Sequence, residues 1–350
     1  MKTFIIVSLL SCVLAMPPTG WPISVDMGCS KYISAVACSF EFTNIANEAL
    51  YLLKRGTPLE GLFSQFLTVS VAGSPVEYDG PFVFYTPLTK DEFVLLKAGE
   101  RISASVQITD AFSIDTDGLY TVQYSKPLLY LSVNEMSELS NGQLRESTVQ
   151  ESIHIYLEDT HALLKPRRPK ETDKIDYTVN IESCSTASFT GSKNNSGTLD
   201  AHKRLCAGID KVKGKLKNNK LYRTWFGAYD ASRFTTVSNV YNYMRNGLAS
   251  KSVRYYNNGP SCKSNWVAYT YRSYSGTTVY LCNSFYKYPT ACRGTKYTKE
   301  RVLLHEWAHA LGGRSDEAYY ADNCKKLAKN EPARAIKNAD SFSFHYCKSQ

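Results

Sequence analysis

The stretch TKERVLLHEWAHALGGRSDEAYYADN, residues 298–323, places two histidines four positions apart with a glutamate after the first. Thr298 is predicted to cap a helix, because its side-chain oxygen can accept a hydrogen bond from a backbone N–H of the first turn. Apolar residues then recur at helical spacing: Leu303, Leu304, Trp307, Ala308 and Leu311. The pair Gly312-Gly313 marks the end of this helix.

On such a helix His305 and His309 lie one turn apart on the same face, which suits two imidazoles that bind one zinc ion. Glu306 can then act as the general base toward a zinc-bound water, as in the pattern H-E-x-x-H. The alternative is two surface histidines on an amphipathic helix. Because the whole chain has only six histidines, a chance match to this pattern is rare. We therefore predict one catalytic zinc ion.

The third ligand is less directly indicated. A catalytic zinc takes three protein ligands and keeps one position open for water. A third histidine in H-E-x-x-H-x-x-G-x-x-H would fall at Ser315, so that pattern is excluded. Asp316 follows the glycine pair, where the chain can fold back toward the metal, and is preferred. Glu331 lies 22 residues after His309 and remains an alternative, although Pro332 places it at a helix start.

The motif, its glycine turn, Asp316 and Tyr319 three residues later resemble the deuterolysin family of zinc endopeptidases, the aspzincins, which include the fungal peptidyl-lysine metalloendopeptidases. Residues 222–233 (YRTWFGAYDASR), 277–286 (TTVYLCNSFY) and 328–344 (AKNEPARAIKNADSFSF) resemble segments of that family in the same order. One departure is visible: the family's Gly-Thr-x-x-Asp box is replaced by GGRSDEAYY, with a shorter loop.

The resemblance implies that His305, His309 and Asp316 bind zinc, that Glu306 is the general base, and that Tyr319 stabilises the transition state. The chemistry agrees, because peptide hydrolysis builds negative charge on the carbonyl oxygen and a phenol beside the metal can stabilise it. The alternative for Tyr319 is an ordinary packed aromatic residue in a chain with 25 tyrosines.

Substrate specificity also follows only from the resemblance. It implies that Asp340 contacts a lysine placed after the scissile bond, as in the lysine-specific members. Ser343 stands where those members carry a glutamate, so only one carboxylate remains. A single carboxylate can still pair with an ammonium group, but with less charge. Lysine preference and broader specificity both remain open.

The chain starts with MKTFIIVSLLSCVLAMPP, which has a basic residue, an apolar run and a small-x-small ending. This pattern predicts a signal peptide over residues 1–15, and its apolar run is too short to anchor the protein in a membrane. We expect a secreted, extracellular protein without a membrane or specific nucleic-acid partner.

Secretion predicts that most of the ten cysteines form disulfides. The resemblance implies the pairs Cys262 with Cys282 and Cys292 with Cys347. Cys324 as a further metal ligand is disfavoured in an oxidising compartment. Three cysteines stay unassigned: Cys184, Cys206 and Cys324.

Charge divides the chain into two halves. Up to Asp173 there are 13 Lys and Arg against 20 Asp and Glu, net −7, and beyond it 28 against 12, net +16. The stretch LLKPRRPKETDK, residues 163–174, is predicted to be a linker. Its Arg167-Arg168 pair favours cleavage by a processing protease. An uncut linker is the alternative. We predict a propeptide over residues 16–168, attracted by its charge to a catalytic domain over residues 169–350.

Short alternating runs such as FLTVSVAG, RISASVQITD and GLYTVQYS in the first half predict an antiparallel β-sandwich. The second half combines helix-like LDAHKRLCAGIDKVKGKL with strand-like NWVAYTYRS and TTVYLCNSF. The expected fold class is α+β: an N-terminal antiparallel β-sandwich prodomain followed by a mainly α-helical zincin-type catalytic domain with a small β-sheet.

These observations predict a monomeric, secreted zinc endopeptidase precursor that acts on proteins or peptides, with its own acidic prodomain as a partner. The alternative is a secreted binding module with a structural metal and no peptidase activity. A structural zinc is usually closed by four protein ligands, whereas a catalytic zinc keeps an open position. The number of ligands therefore separates the two hypotheses.

Overall fold

The computed structural model describes residues 21–141, 144–166, 177–179, 184, 186–191, 195–272 and 277–350. The predicted signal peptide and the predicted cleavage point at Arg168 lie outside the described residues. Both therefore stay predictions.

The N-terminal half consists of short strands. Within the described residues they are β1 (Ile23–Lys31), β2 (Val36–Asn44), β3 (Leu50–Leu53), β4 (Leu67–Val71), β5 (Ser74–Val76), β6 (Pro81–Tyr85), β7 (Phe93–Leu96), β8 (Arg101–Gln107), β9 (Gly118–Tyr124), β10 (Leu128–Ser132), β11 (Arg145–Ser147) and β12 (Ser152–Leu157). All but β6 form three antiparallel sheets, in the orders β1-β2-β8, β11-β10-β3-β7 and β12-β9-β4-β5.

Strand β2 shows why these sheets form. Its buried residues Val36, Cys38, Phe40 and Phe42 occupy every second position, and the residues between them are more exposed. Because successive side chains of a strand point to opposite faces, β2 turns one apolar face inward. That face joins a core to which strands of all three sheets contribute.

The second half contains most of the helices. Its elements are β13 (Tyr177–Val179), β14 (Ala187–Thr190), α1 (Ser196–Lys215), α2 (Lys220–Phe226), α3 (Ala231–Ser250), β15 (Val253–Asn257), β16 (Trp266–Tyr271), β17 (Thr278–Leu281), α4 (Lys299–Ala310), α5 (Ala321–Asn330), α6 (Pro332–Ala335) and α7 (Ala339–Ser349). The mixed α+β class is confirmed, while the sandwich and the domain boundaries stay predictions. No helix among the described residues is long and apolar enough to cross a membrane.

One strand joins the two halves. The sheet of the second half has the order β13-β14-β15-β17-β16-β6, so its last strand comes from the N-terminal half. Strand β6 pairs antiparallel with β16, and helix α4 packs against both. The alternation in the N-terminal sequence does not indicate this arrangement.

Helix α4 is the centre of the second half. Thr298 accepts a hydrogen bond from the backbone N–H of Arg301, as predicted for its cap. Every residue from Glu300 to His309 is buried, because helices α1 and α7 and strand β16 surround α4. The alternative of two surface histidines is therefore wrong, since His305 and His309 are both 0% exposed.

The described cysteines form four disulfides. Cys262–Cys282 and Cys292–Cys347 are bonded, as the resemblance implied, and two further pairs are Cys29–Cys38 and Cys184–Cys206. The remaining described cysteine, Cys324, is buried and free.

Helix α7 carries a buried histidine that makes stability depend on pH. The hydroxyl of Tyr241 lies 2.9 Å from Nδ1 of His345, and burial lowers the pKa of His345 from 6.5 to about 3. In the unfolded chain the imidazole takes up a proton near pH 6.5, whereas in the folded chain it stays neutral down to about pH 3. The free energy of unfolding therefore falls as the pH drops through this window, by at most about 1.4 kcal/mol per pH unit.

We expect His345→Asn to flatten the decline in stability between pH 6.5 and pH 4. The measurement is the denaturant midpoint at each pH, followed by tryptophan fluorescence. His154→Asn is the matched control, because it removes a histidine that lies exposed on β12. Equal slopes for the wild type and His345→Asn would contradict this assignment.

Candidate metal centre

Three buried side chains converge at one point beside α4. Nε2 of His305 and Nε2 of His309 are 3.0 Å apart. Oδ1 of Asp316 lies 3.3 Å from each of these nitrogens. Among the described residues, these form the one group of three or more His, Cys, Asp or Glu whose ligand atoms all lie within 4.8 Å of one another.

A turn after α4 brings the aspartate back to the histidines. Gly313 has a φ of +64°, a left-handed conformation that favours glycine. The next backbone N–H, of Arg314, donates to the carbonyl of Ala308 at 2.8 Å. Further on, Asn338 accepts backbone hydrogen bonds from the two residues that follow Asp316, at 3.0 and 3.1 Å. The aspartate is therefore held between two fixed segments of backbone.

The hydrogen bonds of the two imidazoles define their tautomers. Nδ1 of His305 faces Oδ1 of Asp340 at 3.1 Å, and Nδ1 of His309 faces the carbonyl of Arg314 at 2.7 Å. Because both partners are acceptors, each Nδ1 carries the proton. In the neutral rings both Nε2 lone pairs then point toward Asp316.

This arrangement fits a divalent cation. Two nitrogen lone pairs and a carboxylate at such short distances repel one another unless a positive charge lies between them. Neither oxygen of Asp316 accepts a well-formed hydrogen bond from a described residue, although both are buried. Two imidazoles and one carboxylate are also a donor set that zinc accepts. The residues present therefore fit zinc.

The pKa shifts describe the same electrostatics without a metal. Burial alone would raise the pKa of Asp316, but His309 and His305 outweigh burial and hold it well below its usual value. Burial alone would lower the pKa of His305, but Asp316 and Asp340 raise it to about 10. The carboxylates thus favour a positive charge at this point, which a metal ion supplies in place of a proton.

The predicted general base and oxyanion donor both lie near this centre. Glu306 is fully buried, and neither of its carboxylate oxygens has a hydrogen-bond partner among the described residues. Burial raises its pKa well above the usual value. The hydroxyl of Tyr319 is likewise buried without a well-formed hydrogen bond to a described residue, and burial together with Asp316 raises its pKa. Tyr319 therefore remains a protonated phenol that can donate.

Asp340, the residue proposed to contact a substrate lysine, is buried beside His305 and Arg301. Its Oδ1 lies 3.0 Å from Nη2 of Arg301, 3.1 Å from Nδ1 of His305 and 3.0 Å from Oγ of Ser343. The residue is 2% exposed, so its charge is matched by Arg301 within the fold. A substrate lysine would have to displace Arg301. The geometry instead supports Asp340 as the carboxylate that orients His305.

The alternative ligands lie elsewhere. Both oxygens of Glu331 pair with Arg334 at 3.0 Å at the surface. Cys324 contacts Nδ2 of Asn338 at 3.3 Å. Within the described part of the chain the centre thus has three ligand groups, the number that a catalytic zinc takes.

Comparison with known proteins identifies the family. The family model for lysine-specific metallo-endopeptidases, the aspzincins, matches residues 211–347, which include the whole metal centre. The chain belongs to this family: it is a zinc metalloendopeptidase that acts on proteins or peptides, and zinc is its cofactor. The resemblance to the deuterolysin family is thereby confirmed.

Two sequence relatives span most of the chain, and a solved relative covers less than half of it. An extracellular protease of Aeromonas hydrophila is 24% identical over 325 residues, covering 88% of this chain and 87% of the relative. A peptidyl-Lys metalloendopeptidase of Armillaria mellea is 26% identical over 326 residues, covering 86% and 84%. A solved zinc peptidase from Grifola frondosa shares 30% identity, with a TM-score of 0.40, over 45% of this chain and 96% of that one.

Proposed function

We propose that this zinc metalloendopeptidase is secreted as a precursor, with residues 16–168 as propeptide and residues 169–350 as catalytic domain. The observation that carries the catalytic assignment is the buried three-ligand centre of His305, His309 and Asp316 beside an unpartnered Glu306. The signal-like N-terminus, the opposite charges of the halves and the dibasic pair support the precursor.

In this mechanism His305, His309 and Asp316 hold zinc. When bound, zinc polarises the scissile carbonyl and makes a water more acidic. Glu306 removes a proton from the attacking water and passes it to the leaving amine. Burial alone would keep Glu306 protonated, but a nearby cation favours its ionised form, so the carboxylate can act as a base at neutral pH.

The other side chains orient the two imidazole rings and stabilise the negative charge that develops on the substrate. Asp340 and the carbonyl of Arg314 fix the two imidazole rings through Nδ1, so that each Nε2 points inward. Tyr319 donates its hydroxyl to the oxygen on which negative charge develops as the peptide bond is attacked. This donor is available because the Tyr319 hydroxyl makes no well-formed hydrogen bond to a described residue.

Tyr319→Phe is expected to lower kcat by about 100-fold, because it removes one donor to the oxyanion and little else. KM and bound zinc should change little. The measurement is steady-state hydrolysis of a peptide by the processed enzyme, with metal content determined alongside. Tyr320→Phe is the matched control, since the Tyr320 hydroxyl accepts from Arg55 of the N-terminal half at 3.0 Å. Equal kcat losses in both variants would contradict the role of Tyr319.

We further propose broad rather than lysine-restricted specificity, although three relatives are named peptidyl-Lys metalloendopeptidases. The reason is that Asp340 is held by Arg301 and His305, and Ser343 adds no second charge. Cleavage sites mapped in a digested protein should show no dominant lysine after the scissile bond. A strong lysine bias would overturn this specificity proposal.

The precursor proposal is tested with the full chain carrying a specific protease site after Arg168. Casein hydrolysis is measured before and after cutting, with a zinc chelator and after zinc is restored. Activity that appears on cutting, disappears with the chelator and returns with zinc supports the proposal. Full activity of the uncut chain would contradict the precursor, and absence of activity in folded, zinc-loaded, cut protein would contradict residues 169–350 as the complete catalytic domain.

A further inference from the structure

Strand β6 of the N-terminal half packs directly on the metal centre. Strand β6 lies antiparallel to β16, with Pro81 opposite Tyr271 and Tyr85 opposite Trp266. It forms the edge of the described six-stranded sheet. Since β6 comes from the N-terminal half, this pairing joins the predicted propeptide to the predicted catalytic domain through backbone hydrogen bonds.

The side chains of β6 cover both histidines. The ring of Phe82 stacks on the imidazole of His309, with centroids 4.5 Å apart, and the ring of Phe84 meets His305 edge-on at 4.7 Å. These two phenylalanines share one face of β6 because they are two positions apart. Val83, between them, belongs to a separate cluster on the other face. The strand thus places two aromatic rings directly on the proposed zinc ligands.

Further contacts hold the segment that carries the third ligand. Nζ of Lys126 donates to the backbone carbonyl of Asp316. The ring of Tyr85 meets that of Tyr319 edge-on, with centroids 6.1 Å apart. The N-terminal half therefore contacts the residue proposed as third ligand and the residue proposed as oxyanion donor, besides the two histidines.

A covered edge strand of this kind is a recognition site for extended peptides. In β-augmentation the backbone hydrogen bonds supply affinity, and alternate side chains supply specificity. On β6 the alternate residues Phe82 and Phe84 face the metal centre and are 1% and 3% exposed. A peptide substrate must place its scissile bond in the same position, so it cannot bind while β6 is there.

We propose that the edge of β16 binds an extended peptide with aromatic side chains at alternate positions, and that β6 occupies it in the precursor and keeps the enzyme latent. The inference rests on the proposed function, in which the N-terminal half is a propeptide. While the halves are one chain, the effective concentration of β6 at β16 is high, and a free substrate competes poorly. Cutting the linker allows β6 to dissociate.

The first test locks β6 in place. Pro81→Cys and Tyr271→Cys are combined in the full chain that carries the protease site after Arg168, because opposed residues of antiparallel strands have closely spaced Cβ atoms. After oxidation and cutting, the locked protein should hydrolyse peptides at least about 20-fold more slowly than the cut wild type, and mild reductant should restore its rate. Tyr271→Cys alone and reductant-treated wild type are the controls. Equal rates for locked and unlocked cut protein would overturn the inference.

The second test does not depend on peptidase activity. A fluorescent peptide of residues 79–87 is titrated into cut Glu306→Gln protein after removal of the N-terminal half. It should bind at least about tenfold more tightly than the same peptide with both phenylalanines replaced by alanine. Equal binding of the two peptides, or no binding, would overturn the inference. If the cut wild-type protein showed no peptidase activity while the Glu306→Gln protein still bound this peptide, the result would count against the proposed function alone.

Discussion

Replacement of Glu306 by glutamine is expected to remove peptidase activity while zinc stays bound. Glutamine has nearly the same shape but cannot take up a proton, so kcat should fall by a factor of about 10² to 10⁴. Glu306 lies outside the group of three converging ligand atoms, and the metal should therefore remain. The measurements are hydrolysis of a peptide by the processed enzyme and the zinc content of the same sample.

Glu300→Gln is the matched control on the same helix. Glu300 is also buried, but its oxygens accept hydrogen bonds from the hydroxyl of Tyr346 at 2.6 Å and the backbone N–H of Cys292 at 2.7 Å. This variant should lower stability and leave kcat within a few-fold of the wild type. If Glu306→Gln kept more than a tenth of the activity, another group would have to serve as the base.

Local sequence determines the part of the centre carried by α4. The cap at Thr298, the apolar positions and the two histidines all act within one helix, so their spacing is enough to place them. The position of Asp316 is nearly as predictable, because the glycine turn limits where the next few residues can lie. These features could be predicted from the sequence because they depend on short-range geometry.

The carboxylate behind His305 could not be predicted in the same way. Asp340 and His305 are 35 residues apart, and their contact exists because α7 packs on α4. Nothing in the local sequence of either helix indicates that pairing. The resemblance instead suggested a substrate contact, whereas in the fold Arg301 already neutralises the carboxylate. The packing of α7 on α4 determines that the carboxylate of Asp340 pairs with His305 and Arg301.

Strand β6 is an intermediate case. The run from Phe82 to Tyr85 is buried at every position, unlike the alternating β2 and β12. A continuous apolar run is typical of a strand covered on both faces, so the sequence does contain a signal. It does not reveal which strand is the partner, because β6 and β16 are far apart in the chain and their pairing depends on how the two halves meet.

Substitution of the proposed third ligand, Asp316, is expected to have the second-largest effect, a loss of zinc affinity. Asp316→Ala should weaken zinc binding by more than about 100-fold, because loss of even an outer-shell partner of a ligand costs 10- to 100-fold. Peptidase activity should fall with the metal. Glu331→Ala should leave both unchanged, since Glu331 pairs with Arg334 at the surface. Zinc affinity is measured by competition with a chromogenic chelator.

The comparison of these two substitutions decides between the alternatives that the sequence left open. Removal of Asp316 leaves two facing imidazoles without the carboxylate that holds a cation between them, and the loss should be in metal affinity rather than in folding. Tryptophan fluorescence should stay native in both variants, because Trp225, Trp266 and Trp307 report on the core of the second half. If Glu331→Ala lost zinc and Asp316→Ala kept it, the third ligand would be Glu331, and the segment that carries Glu331 would have to leave Arg334 and rearrange when the metal binds.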